Sequence, residues 1–131
     1  MPNFGAKSKQ NLSEAHAHLQ RLFNEVIKHR DCTVVVGYRG EADQNRAFAV
    51  GNSKLKFPQS KHNQSPSLAV DVVPYINGGA CWDSKECYAF GGFVMGVASQ
   101  MGIKIRWGGD WDSDGSVCDN KFNDLVHFEL A

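Results

Sequence analysis

Two histidines and two aspartates have the residue types of a metal-dependent hydrolytic site. His62 precedes a β-branched segment that contains Asp71, and His127 follows Asp124 by three positions near the end of the chain. Zinc favours imidazole and carboxylate ligands, and a catalytic zinc site uses three protein ligands and leaves one position open. His62, Asp71 and His127 would supply the three ligands. Asp124 would then be the carboxylate that takes a proton from the attacking water.

Spacing alone leaves other interpretations of these residues open. A single histidine is more often a surface or hydrogen-bonded core residue than a ligand, while Asp71 could cap a turn and Asp124 could be a loop carboxylate. No two of the candidate ligands share the tight spacing that makes HExxH specific. A serine hydrolase is a poorer alternative, because Ser60 and His62 are close in sequence but the chain contains no GxSxG elbow.

A second candidate metal site lies in an acidic, glycine-rich loop. Asp110, Asp112 and Asp114 occupy positions one, three and five of a calcium-loop pattern, with a glycine at position six. Position twelve is Lys121 instead of the usual bidentate glutamate, so the pattern is incomplete. Calcium as a regulator is therefore a hypothesis, and a surface loop without a bound ion is the alternative.

The hydrophobic pattern predicts three helices. Apolar residues at three- and four-residue steps indicate an amphipathic helix over about 12–30, with Asn11 in the capping position. A second helix is predicted over 42–50. A third, over about 84–101, begins after Asp83 and is rich in small residues, which predicts that another element packs closely against it.

Short β-branched or alternating segments predict the strands. They cover residues 33–38, 68–73, 103–107 and 125–130, and Pro74 is expected to end the second of them. Helices and strands in this order predict an α+β or α/β domain with one small sheet.

Composition restricts the classes of function. The chain of 131 residues, with 42% hydrophobic and 21% charged residues, has the size and composition of one globular domain over 1–131. Its formal net charge is zero, which argues against nonspecific nucleic-acid binding. No apolar run approaches a membrane span, and the N-terminus lacks the apolar region of a secretory signal, so cytosolic synthesis without membrane insertion is expected.

Four motifs in one order resemble the LAS zinc peptidases, the group that includes D-alanyl-D-alanine carboxypeptidases and dipeptidases. The matching segments are Ser60-Lys61-His62 with Ala69-Val70-Asp71 (SxH…AxD), Asp124 to His127 ([ED]xxH), Gly37-Tyr38-Arg39 with Gln44 (YR…Q), and Trp107 to Trp111. The chain most resembles the phage branch, the L-alanyl-D-glutamate endopeptidases that act as endolysins. It is similar to that branch in the SxHN…SPSxAVDVVPY and WGGDWDxDG segments and in its short length.

The resemblance implies an α+β fold with a small, mainly antiparallel sheet and three helices. It also implies that His62, Asp71 and His127 bind zinc and that Asp124 is the general base. Arg39 would stabilise the negative charge on the scissile carbonyl oxygen, although a structural salt bridge is its alternative role. Substrate contacts are expected from three further residues: Ser60, which could instead orient its loop, Gln44 and Trp107.

The chain departs from the common LAS pattern at two places. Two residues are added between His62 and Asp71, and Ser67 stands where that pattern has glycine. The implied general base would be Asp124, which is one methylene shorter than the glutamate that is frequent in the family. The extra residues are expected to bulge from the loop over 63–67 without changing the ligands.

The sequence therefore predicts a monomeric, endolysin-type zinc peptidase that cuts the L-alanyl-D-glutamate bond of bacterial peptidoglycan. D-alanyl-D-alanine cleavage is the alternative within the class, and a catalytically silent wall-binding domain is the alternative outside it. The enzyme is expected to be made in the host cytoplasm and to act on the cell wall after the membrane is permeabilised. Release to the wall would then need a holin-type pore.

Overall fold

The computed structural model describes residues 2–110 and 124–131. The helices of this part of the chain are α1 (Ala6–Ser13), α2 (Ala17–Val26), α3 (Glu41–Ala49) and α4 (Ser84–Met101), with a 3-10 helix at Lys61–Asn63. Its strands are β1 (Cys32–Val36), β2 (Ala69–Ile76), β3 (Gly79–Ala80), β4 (Ile105–Gly108) and β5 (Asp124–Leu130).

The strands form one antiparallel sheet in the order β1-β2-β5-β4, and the short β3 pairs with β2. The two central strands are therefore β2 and β5, which carry Asp71 and His127. The α+β class and the antiparallel sheet agree with the prediction.

The two faces of this sheet have different chemistry. Val70 is paired with Phe128, and both side chains point into the core beneath α2 and α4, where Phe23 and Phe90 lie edge-on to the Phe128 ring. Asp71 is paired with His127 one position further along, so these two side chains point to the opposite face. The alternation along each strand thus separates the apolar core from the polar face that carries the candidate site.

The predicted helix over 12–30 is wrong as a single element. The structure has two helices, α1 and α2, separated at Glu14, Ala15 and His16. Ser67 forms two backbone hydrogen bonds with this break between the helices. Its N–H donates to Glu14 O at 2.9 Å, and its carbonyl accepts from His16 N at 2.8 Å. The described residues therefore contain four α-helices instead of the predicted three.

The predicted capping role of Asn11 is also wrong. Asn11 lies inside α1, and its side-chain amide donates to Val34 O at 2.8 Å, which ties α1 to β1. The N-cap of α2 is His16, whose Nδ1 accepts from His18 N at 3.0 Å. Hydrogen bonds between residues distant in sequence decide where these two helices begin and end. A local sequence pattern cannot predict such bonds.

The other boundaries lie close to their predicted positions. Helix α4 begins after Asp83, whose carboxylate accepts from Glu86 N at 3.2 Å, and it ends at Gly102 in the left-handed conformation. Pro74 lies within β2 and does not end it, contrary to expectation. Among the described residues, no helix combines the length and apolar character that a bilayer span requires.

Candidate active site

His62 is held by its own 3-10 helix and by one backbone carbonyl. Ser60 caps this helix, its Oγ accepting from His62 N at 3.2 Å, while the Asn63 side chain accepts from Ser60 N at 3.0 Å. The ring Nδ1 of the buried His62 lies 2.9 Å from Gly37 O. A carbonyl only accepts, so Nδ1 carries a proton, and Nε2 is the nitrogen directed toward Asp71 that a metal could bind.

The loop that follows His62 contacts Gly37 O, the backbone carbonyl that also contacts the His62 ring. Ser67, which stands where the common family pattern has glycine, is fully buried, and its Oγ lies 3.2 Å from Gly37 O. The same hydroxyl oxygen lies 2.6 Å from Ala69 O at the start of β2. The serine therefore joins the loop to the carbonyl that fixes His62, which leaves both His62 and Asp71 in place despite the two added residues.

Asp71 lies between the two histidines on the polar face of the sheet. Its Oδ1 is 3.0 Å from His62 Nε2 and 3.3 Å from His127 Nδ1, and its Oδ2 is 3.4 Å from Arg39 Nη2. Burial opposes ionisation of this carboxyl group, but the two histidines hold its pKa well below the usual range. Asp71 is therefore a carboxylate at neutral pH, as a metal ligand must be.

His127 is oriented by a carboxylate on its own strand. Its Nε2 lies 2.7 Å from Glu129 Oε1, which leaves Nδ1 directed toward Asp71. Burial acts to lower the pKa of His127, but its hydrogen bonds to Asp71 and Glu129 outweigh this effect and raise that pKa to about 9. Both contacts therefore favour a fixed, strongly basic imidazole.

Sequence reasoning gave no role to Glu129. The residue is buried, and Lys61 Nζ lies 3.3 Å from its Oε2. Burial acts to raise the pKa of Glu129, but the hydrogen bond with His127 and the charge of Lys61 lower it overall. The available signal was its position two residues after His127 on a strand, because such residues share a face of the sheet.

His62, Asp71 and His127 fit a bound metal ion. One ligand atom from each residue lies within 4.8 Å of the others, and all three residues are buried. The second nitrogen of each imidazole is bonded to a carbonyl or carboxylate oxygen, the outer support usual for metal-binding histidines. Two imidazoles and one carboxylate suit zinc and leave a coordination position for water or substrate.

Asp124 begins β5 beside these ligands. Burial raises the pKa of Asp124 to about 6, and the negative charge of Asp71 adds to this effect. Strand β4 approaches the Asp124 backbone so closely that position 108 requires glycine, because a Cβ on Gly108 would lie 2.0 Å from Asp124 O. Asp124 is thus a half-buried carboxylate with the pKa of a weak base, as proton transfer near neutral pH requires.

Two of the candidate ligands, His62 and His127, line a cleft of about 440 Å³. The described residues that line it are Arg39, Asn52, Ser53, Lys54, Leu55, Gln59, Ser60, Lys61, His62, Arg106, Asp124, His127 and Glu129. A cleft of this size accommodates a short peptide segment beside the metal-binding side chains.

Two predicted substrate residues have other positions. Gln44 is fully buried, and its Oε1 accepts from Arg39 Nη1 at 3.1 Å, so it positions Arg39 and does not line the cleft. Trp107 is buried in the core, stacked on Phe128 at 6.4 Å, with its Nε1 donating to Leu125 O. Ser60 does line the cleft, and it also caps the 3-10 helix.

The predicted calcium loop is described only at its first position. Asp110 is buried, and its backbone N–H donates to Trp107 O at 3.0 Å. Asp112 and Asp114 lie outside the described residues.

A His-Asp-His ligand set beside a weakly basic carboxylate defines a candidate metal-dependent hydrolase. The family model for phage L-alanyl-D-glutamate peptidases matches residues 2–131, and the chain belongs to this family. It is 33% identical over 119 residues to the L-alanyl-D-glutamate peptidase of Escherichia phage T5, over 88% of this chain and 86% of that protein.

The fold is also similar to a solved structure. The L-Ala D-Glu endopeptidase ChiX of Serratia marcescens superposes with a TM-score of 0.77 and 26% sequence identity. The similarity covers 98% of this chain and 90% of that one. The predicted family and the predicted fold are therefore both confirmed.

Proposed function

We propose that this L-alanyl-D-glutamate endopeptidase of bacterial peptidoglycan depends on zinc held by His62, Asp71 and His127. The observation that carries the proposal is the convergence of these three buried residues, with His62, His127 and Asp124 lining an open cleft. When bound, a zinc ion supplies Lewis acidity, which polarises a peptide carbonyl and makes a water molecule more acidic.

Asp124 is the general base of the proposed reaction. It lines the cleft, and its raised pKa lets the carboxylate accept a proton from the attacking water and return it to the leaving amine. Aspartate is shorter than the glutamate frequent in related peptidases. The close approach of β4 at Gly108 fixes the position of the Asp124 backbone.

Arg39 is the candidate for stabilising the oxyanion. Its guanidinium lines the cleft and is fixed by Gln44 Oε1 at 3.1 Å and Asp71 Oδ2 at 3.4 Å. A pre-positioned cation of this kind stabilises charge that develops on a carbonyl oxygen without reorganising during the reaction. The contact with Asp71 is the salt bridge expected as its alternative role, and one guanidinium has enough donors for both roles.

The cellular setting is proposed from the substrate. A phage enzyme that acts on peptidoglycan meets its substrate outside the cytoplasmic membrane, so it would be made in the host cytoplasm and reach the wall through a holin-type pore. The enzyme would act there as a monomer, since all the proposed reacting residues come from one chain.

Mass spectrometry of digested peptidoglycan tests both the bond and the metal. The zinc-loaded protein should release fragments with a new N-terminal D-glutamate, and treatment with a chelator should abolish this release until zinc is restored. Released D-alanine would instead support the D-alanyl-D-alanine alternative. Wall binding without any new peptide terminus would support a silent binding domain.

A further inference from the structure

At one end of the cleft, two cationic side chains approach the buried carboxylate of Glu129. Arg106 is paired with Glu129 across β4 and β5, and its Nη1 lies 3.9 Å from Glu129 Oε2. Lys61 Nζ approaches the same oxygen at 3.3 Å and also donates to Leu130 O. We call Lys61 and Arg106 the basic pair; both line the cleft.

The basic pair lies beyond His127, on the side of the ligand set away from Arg39. Glu129 links the pair to His127 through its 2.7 Å contact with the imidazole, whereas Arg39 contacts Asp71. The ligand set is therefore flanked by a cation on one side and by the basic pair on the other. A peptide lying across the ligands would extend toward the basic pair at one end of the cleft.

The exposure of these side chains suits them to contact a ligand. The side chains of Lys61 and Arg106 are 37% and 47% exposed, while that of Glu129 is only 10% exposed. Two partly exposed cationic side chains therefore approach one largely buried carboxylate at this end of the cleft. Partly exposed ammonium and guanidinium groups are the usual partners of a ligand carboxylate.

The substrate offers a carboxylate at the corresponding place. In a stem peptide, D-glutamate continues through its γ-carboxyl group, so its α-carboxyl group stays outside the chain, next to the nitrogen of the scissile bond. In some bacterial walls this α-carboxylate is free and in others it is an uncharged amide. The two forms have nearly the same shape and differ in charge.

We infer that Lys61 and Arg106 form a subsite for the free α-carboxylate of the D-glutamyl residue. This inference rests on the proposed function and names the form of the substrate that the enzyme prefers. The free carboxylate accepts charge-assisted hydrogen bonds from the basic pair. The amide keeps one acceptor oxygen but carries no charge, and its NH₂ group cannot accept from the second donor, so the enzyme cuts amidated stem peptides more slowly.

The test compares two synthetic stem tripeptides, one with L-Ala-γ-D-Glu and one with L-Ala-γ-D-isoglutamine before the same third residue. Zinc-loaded wild-type protein should cleave the D-Glu peptide with kcat/KM on the order of 10- to 100-fold higher. Arg106→Gln should lose most of this preference by slowing cleavage of the D-Glu peptide, with little change for the isoglutamine peptide. Lys61→Gln should shift the preference in the same direction.

Lys104→Gln is the matched control. Lys104 is exposed two positions before Arg106 and does not line the cleft, so its substitution removes the same charge and should keep the wild-type preference. Zinc content and thermal unfolding should show that each variant is folded and loaded.

Three outcomes separate the subsite from the proposed function. Equal kcat/KM for the two peptides in the wild type would overturn the subsite while the proposed function stands. Wild-type preference in both Arg106→Gln and Lys61→Gln would also overturn it. Failure of the zinc-loaded wild type to cut either peptide would overturn the proposed function, and the subsite with it.

Discussion

Asp71 and His127 face each other directly across the antiparallel pair β2–β5, with Asp71 Oδ1 3.3 Å from His127 Nδ1. The register of two central strands therefore sets the distance between two candidate ligands. A slip of one residue would turn either side chain into the apolar core. Val70 and Phe128, the neighbouring pair on the core side, oppose such a slip because both are fully buried.

The first prediction is that His127→Ala abolishes stoichiometric zinc binding. The substitution removes one of three protein ligands, and the remaining His62 and Asp71 cannot hold the ion tightly. Metal analysis after gel filtration should find about one zinc per wild-type chain, the number expected for one such site, and far less in the variant. His29→Ala is the matched control, since His29 is an exposed histidine that pairs with Glu25 far from the ligand set. Full zinc content in His127→Ala would refute the assignment.

The second prediction separates the general base from the ligands. Asp124→Asn should retain zinc and the fold, but turnover should fall by roughly 10²–10⁴-fold, the contribution typical of a positioned base. Single-turnover cleavage of a stem peptide by zinc-loaded protein measures the effect. Asp43→Asn is the control, because Asp43 is an exposed aspartate on α3 paired only with Arg46 among the contacts of the described residues. Near-normal turnover in Asp124→Asn would assign proton transfer to another group.

The third prediction concerns pH and zinc affinity. In the folded chain the pKa of His127 is raised from 6.5 to about 9, so a proton occupies the imidazole nitrogen that would bind zinc over most of the neutral range. Zinc must displace this proton, and its affinity should rise by up to about tenfold per pH unit until pH reaches the pKa. Competition with a chromophoric chelator between pH 6.5 and 9 measures this dependence. A flat profile would contradict the predicted competition.

The same shift gives the zinc-free protein a pH-dependent stability. A raised pKa in the folded state means that folding takes up a proton on His127 in the interval between 6.5 and about 9. The stability contributed by this proton is fully present below pH 6.5 and is lost as pH rises through 9. Urea unfolding of zinc-free protein should therefore show decreasing stability over this interval, and His127→Ala should show a smaller decrease.

The sequence predicts the ligand set better than the supporting residues. Motif order selects His62, Asp71 and His127 as candidates because each expected ligand has a fixed chemical type, and the structure brings the three together. Glu129 is not identified, because its role depends on the orientation of His127 within the sheet. Trp107 is expected to contact substrate, but its side chain lies in the core, since proximity to a motif does not show which face of β4 a side chain occupies.

The break between α1 and α2 illustrates the same limit for the fold. Apolar spacing continues through residues 12–27, and nothing local requires a break at His16. The break arises because Ser67, about fifty positions away in sequence, bonds to the backbone of Glu14 and His16. Helix α4 is predicted accurately because its start and end depend on Asp83 and Gly102, whose effects are local.

The fourth prediction concerns calcium and rests on the sequence pattern of Asp110, Asp112 and Asp114. Three spaced carboxylates repel one another, and a bound cation would neutralise them close in sequence to Asp124. Calcium on the order of 10⁻⁵–10⁻³ M should then raise the activity of zinc-loaded protein, and Asp112→Ala should remove the response. Asp43→Ala is the control for a lost carboxylate. Equal activity at all calcium concentrations would leave the loop without a regulatory ion.

The last prediction uses two adjacent glycines of α4. A Cβ on Gly91 would lie 2.1 Å from the Trp107 ring, whereas a Cβ on Gly92 meets no atom within 4 Å. Gly91→Ala must displace the buried indole and should destabilise the protein by about 1–3 kcal/mol. Gly92→Ala should instead stabilise it by about 0.4–1 kcal/mol, since alanine restricts the unfolded chain and fits an exposed helix position.

Activity distinguishes the two variants as well as unfolding does. The Trp107 Nε1 donates to Leu125 O at 2.9 Å, directly after Asp124, so moving the indole in Gly91→Ala should also disturb the general base and lower turnover. Gly92→Ala should retain wild-type turnover, because the exposed position touches no part of the site. Chemical denaturation and peptide cleavage on the two proteins check both effects. Equal stability of the two variants would show that Trp107 can move away from α4 without cost.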